Sequence, residues 1–231
     1  MLTRRLVILQ KKIDISLTTL TSAFAEFPRI FAACSFGKDS RVIIDLSLSL
    51  KPDLEFIGID TGYEFPETLN FADKLVRATG MNFRWIKPST ATKKIIDQEY
   101  NGSFIKNGQY KCCAMKLPAI EELLSRYQAW ITGLRRDETE YRKNTKLVES
   151  GRIVKVNPLA HWTNQDIWQY IHSRHLAYHP LYDLGFTSLG CQPCTTKGVL
   201  QSGGGRQGRF ERAGRLSNTH KAAGECGLHL L

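Results

Sequence analysis

Two pairs of cysteines far apart in the chain restrict its fold more than any other feature: the adjacent Cys112 and Cys113, and the C-x-x-C of Cys191 and Cys194. If both pairs serve one centre, the chain must return to its own middle after everything between them has folded. The C-x-x-C lets two thiolates reach one metal centre, whereas the side chains of adjacent residues point apart, so the vicinal pair suits an object larger than a single ion. An iron–sulfur cube fits that donor set better than zinc. A further cysteine, Cys226, lies in a terminal Glu225-Cys226-Gly227-Leu228-His229 and reads as a nucleophile, while Cys34 has no partner at a useful spacing and reads as a buried small apolar residue. In a reducing compartment such spacings favour metal binding or chemistry over disulfides.

At 231 residues with 42% hydrophobic content, the chain has enough material for one substantial domain and a tail. No apolar run reaches the ~18 residues that a membrane helix needs, and the N-terminus enters an amphipathic pattern instead of a secretory core. A soluble, cytoplasmic protein with no membrane partner is expected. The 32 Lys and Arg against 22 Asp and Glu give a net charge of +10, which suits nucleic acid or an anionic small molecule. Beyond Thr196, Lys197, Arg206, Arg209, Arg212, Arg215 and Lys221 oppose only Glu211 and Glu225, on a glycine-rich segment leading to Cys226. Charge alone makes this a solvated, nucleic-acid-binding tail. The terminal pentapeptide turns it into a basic tail that brings a cysteine to an anion.

Leu6, Leu9, Ile13, Leu17, Leu20 and Phe24 recur at helical spacing and predict an amphipathic first helix. Strands are expected at 29–34, 55–60, 82–86 and 129–134, and helices at 41–50, 66–79 and 118–127, the last with Pro118 in its first turn. Thr163 and Asp166 can each cap a free amide and so open a further helix. This order implies an α/β fold, a mainly parallel sheet with helices on both faces. The expected units are an N-terminal helix (1–28), the α/β domain (29–200) and a mobile tail (201–231) hinged at Ser202-Gly203-Gly204-Gly205 and carrying Cys226.

In such sheets ligands bind where strands end and loops turn into helices. After the first strand, Ser35-Phe36-Gly37-Lys38-Asp39-Ser40 offers backbone amides, hydroxyls and Lys38 to a phosphate-like anion, although its spacing is not that of a Walker loop and an ordinary capped turn reads equally well. After the second, Asp60-Thr61-Gly62 places a carboxylate and a hydroxyl near a ribose or base, or closes a tight turn. After the fourth, Gly133 precedes Arg135 and Arg136, with Arg142 further on. These guanidinium groups either face an anion or pair with Asp137, Glu138 and Glu140. His161, His172, His175, His179 and His220, with Trp162 and Trp168, read as surface or packing residues.

Taken in order, Ser35-Phe36-Gly37-Lys38-Asp39-Ser40, Lys111-Cys112-Cys113, Ile131-Thr132-Gly133-Leu134-Arg135-Arg136, Asn157-Pro158-Leu159 with Trp162-Thr163, Gly190-Cys191-Gln192-Pro193-Cys194-Thr195, Glu211-Arg212-Ala213-Gly214-Arg215 and Glu225-Cys226-Gly227-Leu228-His229 carry a resemblance. From about Arg29 to the C-terminus the chain resembles the assimilatory adenylylsulfate reductases, cluster-containing members of the sulfonucleotide reductase family. The resemblance implies an adenine nucleotide alpha hydrolase-like fold and reduction of adenosine 5′-phosphosulfate to sulfite and AMP in sulfate assimilation. It implies that Cys226 attacks the sulfur to form an S-sulfocysteine, which thioredoxin or glutaredoxin then resolves. It further implies a [4Fe-4S] cluster on Cys112, Cys113, Cys191 and Cys194. Ser35, Gly37, Lys38 and Ser40 would hold the sulfonucleotide phosphate, with Gly133 and Asp60 near the adenosine. Arg212, Arg215 and His229 would hold the phosphosulfate, and Arg135, Arg136 and Arg142 would line the same end of the sheet.

Three departures from the family pattern stand out. Lys116-Leu117-Pro118 compresses two basic residues to one, Lys38 occupies a position where many reductases lack it, and Leu216-Ser217-Asn218 replaces the usual tryptophans. Other readings of the sequence are a reductase of the 3′-phosphorylated sulfonucleotide, an ATP pyrophosphatase-type sulfur-transfer enzyme acting on nucleic acid, and a non-catalytic iron–sulfur or zinc nucleic-acid-binding module. The reductase reading expects no nucleic-acid partner and is compatible with a homo-oligomer.

Overall fold

A computed structural model describes residues 2–107 and 109–197. Arg212, Arg215, Cys226, His229 and the glycine hinge lie outside the described residues. Among the described ones no helix is long and apolar enough to cross a membrane.

The elements in chain order are α1 (Leu2–Glu26), β1 (Ile30–Ala33), α2 (Lys38–Leu50), β2 (Glu55–Ile59), α3 (Pro66–Thr79), β3 (Phe83–Ile86) and α4 (Thr90–Tyr100). They continue with β4 (Ile105–Lys106), β5 (Gln109–Tyr110), α5 (Lys111–Arg126), β6 (Ala129–Ile131), β7 (Val148–Glu149), β8 (Val154–Val156) and α6 (Asn164–Ser173). The main sheet runs β3-β2-β1-β6-β8-β7, and β4 and β5 form a separate hairpin. All pairings in the main sheet are parallel except β7 with β8.

Alternation along β1 explains the two layers. Ile30 and Ala32 point into a core built with Leu20, Ile43, Leu46, Trp162 and Ile171, whereas Phe31 points into a second core with Ile57, Trp130, Ala119 and Leu123. The first core covers the sheet with α1, α2 and α6, and the second covers the other face with α5. Fully burying one of these large apolar side chains contributes about 1.5–3 kcal/mol. The first helix is also tied by polar contacts: Ser16 Oγ, fully buried, donates to the Pro158 carbonyl at 2.7 Å and accepts from Trp162 Nε1 at 2.9 Å.

Helix ends follow their local chemistry. Pro66 opens α3, and Gly80 stops it in the left-handed region (φ 64°), its N–H reaching the Val76 carbonyl. Thr163 and Asp166 form the expected capping box on α6. The expected start of α5 at Pro118 is corrected: the helix begins at Lys111 and Pro118 lies inside it. An internal proline removes a backbone hydrogen bond and costs ~3 kcal/mol. Packing offsets this, because Cys112, Met115, Ala119, Ile120 and Leu123 are all buried on one side of the helix. The polar stretch before it holds α4 and the β4–β5 hairpin, which the sequence pattern does not announce.

Candidate active site

The loop after β1 is built around a strained residue. Phe36 has φ 57°, where a bulky side chain is disfavoured by about 1–2 kcal/mol. Its fully buried ring is held against Phe83, Trp85 and Phe71, with centroids 5.0, 5.5 and 6.5 Å away. That anchoring directs Gly37 into the start of α2. A Cβ on Gly37 would stand 3.1 Å from Tyr182 Oη, so glycine is needed there for close approach. The Lys38 N–H donates to the same hydroxyl at 2.9 Å. Ser35 and Ser40 face each other, with Oγ atoms 3.1 Å apart, and the Ser35 N–H donates to Ser40 Oγ at 3.1 Å.

Charge beneath the loop is arranged as a chain of pairs. The Lys38 ammonium, 1% exposed, lies 3.1 Å from Asp39 Oδ2, and Arg135 Nε donates to Asp39 Oδ1 at 2.6 Å. Burial alone would raise the Asp39 carboxyl, but the Arg135 and Lys38 cations together hold it at about 2. Arg135, fully buried, also pairs with Asp137. Arg142 Nη1 meets Glu138 Oε2 at 2.5 Å, and that carboxylate also accepts the Arg135 N–H at 2.9 Å. Gly133 lets the end of β6 sit on the first turn of α2, since a Cβ there would be 3.1 Å from Asp39 Cβ.

These groups border a cavity of ≈ 190 Å³ at the carboxyl end of β1, β2 and β6. Ser35, Gly37, Lys38, Ser40, Gly133 and Arg142 line it, as their positions in the sequence suggest. Arg135, Arg136 and Asp60 do not. Arg135 lies beneath the loop, Arg136 Nε donates to the Thr145 carbonyl at 2.7 Å, and Asp60 closes its turn by accepting the Gly62 N–H at 2.8 Å and pairing with Lys87 at 3.0 Å. Cavity residues beyond the sequence reading include Glu64, Tyr182, Thr68 and Trp130. Trp130 Nε1 is buried without a partner among the described residues. Neither Tyr182 nor Glu64 carries a local mark in the sequence that would place it at the cavity.

Beside the cavity the chain returns to its middle, as the cysteine spacing requires. The sulfur atoms of Cys112, Cys191 and Cys194 lie within 4.8 Å of one another, all buried, and Cys113 packs against the group. Cys112 and Cys113 stand in the first turn of α5, while Cys191 and Cys194 bracket a turn whose Gln192 N–H donates to the Tyr63 carbonyl at 2.8 Å. Contact with Cys113, then Cys191 and Cys194, pushes the Cys112 thiol up, with burial adding to the effect. Such a nest of thiols cannot ionise together unless a multivalent cationic group replaces the protons. The set of three suited to one ion takes only one of the vicinal pair. Four thiols with the second of that pair alongside fit a [4Fe-4S] cluster. Cys34 stands apart, buried, its thiol pushed up to about 12 by burial.

Nest and cavity share a wall. Lys116 follows Cys112 by one helical turn and lines the cavity. Glu64 lines it too, with Oε1 accepting from the Cys191 thiol at 3.3 Å and from Thr61 at 3.2 Å. Burial pushes Glu64 up to about 7 against the opposing pull of the Lys116 cation.

The profile of the phosphoadenosine phosphosulfate reductase domain matches residues 29–197. An adenosine 5′-phosphosulfate reductase from Geobacillus kaustophilus is 35% identical over 220 residues, spanning 93% of this chain and 90% of the relative. The enzyme of that name from Staphylococcus haemolyticus is 37% identical over 206 residues, spanning 87% and 81%. Among solved structures, the phosphoadenylyl-sulfate reductase of Candida auris in a phosphate complex aligns with TM-score 0.65 at 26% identity, covering 78% of this chain and 90% of that one. FMN adenylyltransferase of Candida glabrata in complex with ATP aligns with TM-score 0.62 at 18% identity, covering 95% and 75%, a likeness of fold alone.

Proposed function

Since the chain belongs to the phosphoadenosine phosphosulfate reductase domain family, we propose that it reduces adenosine 5′-phosphosulfate to sulfite and AMP, with Cys226 as the nucleophile. The observation that carries this reading is the wall shared by the Ser35–Ser40 cavity and the cysteine nest, with Lys116 and Glu64 between them.

The Cys226 thiolate attacks the sulfonyl sulfur. A new S–S bond forms, the S–O bond to AMP breaks, and AMP departs with the electron pair. A dithiol of the thioredoxin type then attacks Cys226 Sγ and expels sulfite, which keeps the pair from the S–S bond. Its second thiol resolves the mixed disulfide, leaving Cys226 reduced and the donor oxidised by two electrons. AMP leaves readily only where its phosphate charge is stabilised as it develops. Ser35, Ser40 and the first turn of α2 supply donors at the cavity edge, while Lys38 and Arg142 are held there by Asp39 and Glu138. Arg212, Arg215 and His229 complete the anion's countercharge and favour the thiolate of Cys226. Asp60, Arg135 and Arg136 act outside the cavity: Arg135 fixes the loop through Asp39, and Asp60 fixes the turn above β2.

Cys112, Cys113, Cys191 and Cys194 would hold the [4Fe-4S] cluster, which would supply electrostatic and structural support beside the substrate. Through α5 they fix Lys116 at the cavity wall. Bringing Cys226 first to substrate and then to the dithiol would fall to residues 201–231, for which the sequence offers Ser202–Gly205 as the hinge.

Intact-mass analysis after anaerobic incubation with each sulfonucleotide tests the reading. A sulfonate is expected on Cys226 from adenosine 5′-phosphosulfate and none in Cys226→Ser. An adduct from the 3′-phosphorylated nucleotide alone reassigns the substrate, and no adduct from either removes the mechanism.

A further inference from the structure

The cysteine nest contains a polar atom that the protein leaves without a partner. Tyr110 ends β5 and immediately precedes α5. It is 3% exposed, and its Oη finds no hydrogen-bond partner among the described residues, sulfur included as an acceptor. The neighbouring Tyr100 contrasts with it, since its hydroxyl donates to the Gln109 carbonyl at 3.3 Å. Tyr110 belongs to the same buried group as Cys112, Cys191 and Cys194, and its ring meets Phe104 with centroids 5.6 Å apart. A phenol holds its proton at neutral pH, so Tyr110 remains a hydrogen-bond donor.

A buried hydroxyl with no acceptor costs ~1–3 kcal/mol, and phenylalanine would fill the same space without that cost. The missing acceptor must come with whatever the thiols hold. A single ion ligated by four thiolates brings none, whereas an iron–sulfur cube brings inorganic sulfides of its own. We infer that Tyr110 donates an O–H···S hydrogen bond to the bound cluster and acts as a positioning residue for it. This rests on the cluster reading of the site. The bond draws electron density from sulfur, favours the more negative, reduced level of the cluster, and fixes the cube against the start of α5.

The test compares anaerobically isolated full-length wild type and Tyr110→Phe by iron and acid-labile sulfide analysis, resonance Raman spectra in H₂O and D₂O, and cluster reduction potential. Wild type is expected to show Fe–S stretching bands that shift on exchange into D₂O. Tyr110→Phe should lose part of that shift, fall in potential, and release iron to a chelator severalfold faster. A fully loaded Tyr110→Phe with unchanged bands, D₂O shift and potential overturns the inference while leaving the cluster in place. If the variant holds no cluster, wild type grown on 3-fluorotyrosine decides: the stronger donor must move the same bands, and unmoved bands overturn the assignment. Zinc without sulfide in the purified wild type removes the cluster reading and this inference together.

Discussion

Asp39 is the joint on which the phosphate loop rests, and replacing it by asparagine measures how firmly. Its carboxyl is held at about 2 against an ordinary 3.8, because the favourable Arg135 and Lys38 cations outweigh burial. A shift of that size corresponds to about 2 kcal/mol of stability at neutral pH. The folded value is the lower one, so this stabilisation is present above pH 3.8 and disappears as pH falls through 2. Asp39→Asn should therefore cost about 2 kcal/mol at pH 7. Arg135→Met should cost more, about 3–5 kcal/mol, because it leaves Asp39 and Asp137 facing a buried gap. The two changes share one contact, so the double variant should be 1–3 kcal/mol less damaged than the sum of the singles. Anaerobic urea unfolding followed by tryptophan fluorescence reads all four corners of the cycle. An Asp39→Asn protein within about 0.5 kcal/mol of wild type, or strictly additive variants, would refute the claim that this pair anchors the loop.

Two further outcomes follow from the same region. His179 Nδ1 accepts the Leu181 N–H at 3.2 Å, so Nε2 carries the proton toward Thr68 Oγ1 at 2.9 Å, and burial pushes the ring down to about 4. Because that is below the ordinary 6.5, the stability is complete above pH 6.5 and is lost as pH falls toward 4. Between pH 7.5 and 5 wild type should lose about 2 kcal/mol that His179→Gln does not, and parallel pH profiles of the two would dismiss the effect. Gly133→Ala would set a Cβ 3.1 Å from Asp39 Cβ and 3.4 Å from the Asp39 backbone carbon. A loss of 1–3 kcal/mol with a raised KM is expected, and unaltered stability and KM would show that α2 moves freely.

How much of this was legible depended on how local each signal was. The β-α-β-α order of the elements gave the parallel sheet, the pattern over 66–79 gave both ends of α3, and Thr163 with Asp166 gave the start of α6. Pro118 misled because proline is most often tolerated at a helix start; the burial of Cys112 and Met115, which sustains two turns before it, is a tertiary effect with no local mark. The strand β8 was hidden for a similar reason, being only three residues long and defined by its pairing with β6. The cysteine pairs were readable at a distance because their chemistry leaves few alternatives, whereas Glu64 and Tyr182 reach the cavity only through the fold.

The arginines teach the opposite lesson. Arg135, Arg136 and Arg142 follow a buried strand at the binding edge, and a sequence cannot distinguish a guanidinium facing an anion from one facing an acid. The fold gives Arg135 to Asp39 and Asp137, Arg142 to Glu138, and Arg136 to a backbone carbonyl. Lys38 is likewise beside Asp39. The cavity floor is thus close to internal charge balance, which makes a rigid cradle of donors with little net attraction for a multiply charged anhydride. If the proposed reaction is right, most of that attraction must come from elsewhere: from Lys116 at the shared wall, and from Arg212 and Arg215 on the segment that carries Cys226. Such a division would couple chemistry to delivery. The charge that lowers the thiol's pKa and stabilises departing AMP would arrive with the nucleophile itself, so Cys226 would be fully activated only where a sulfonucleotide waits.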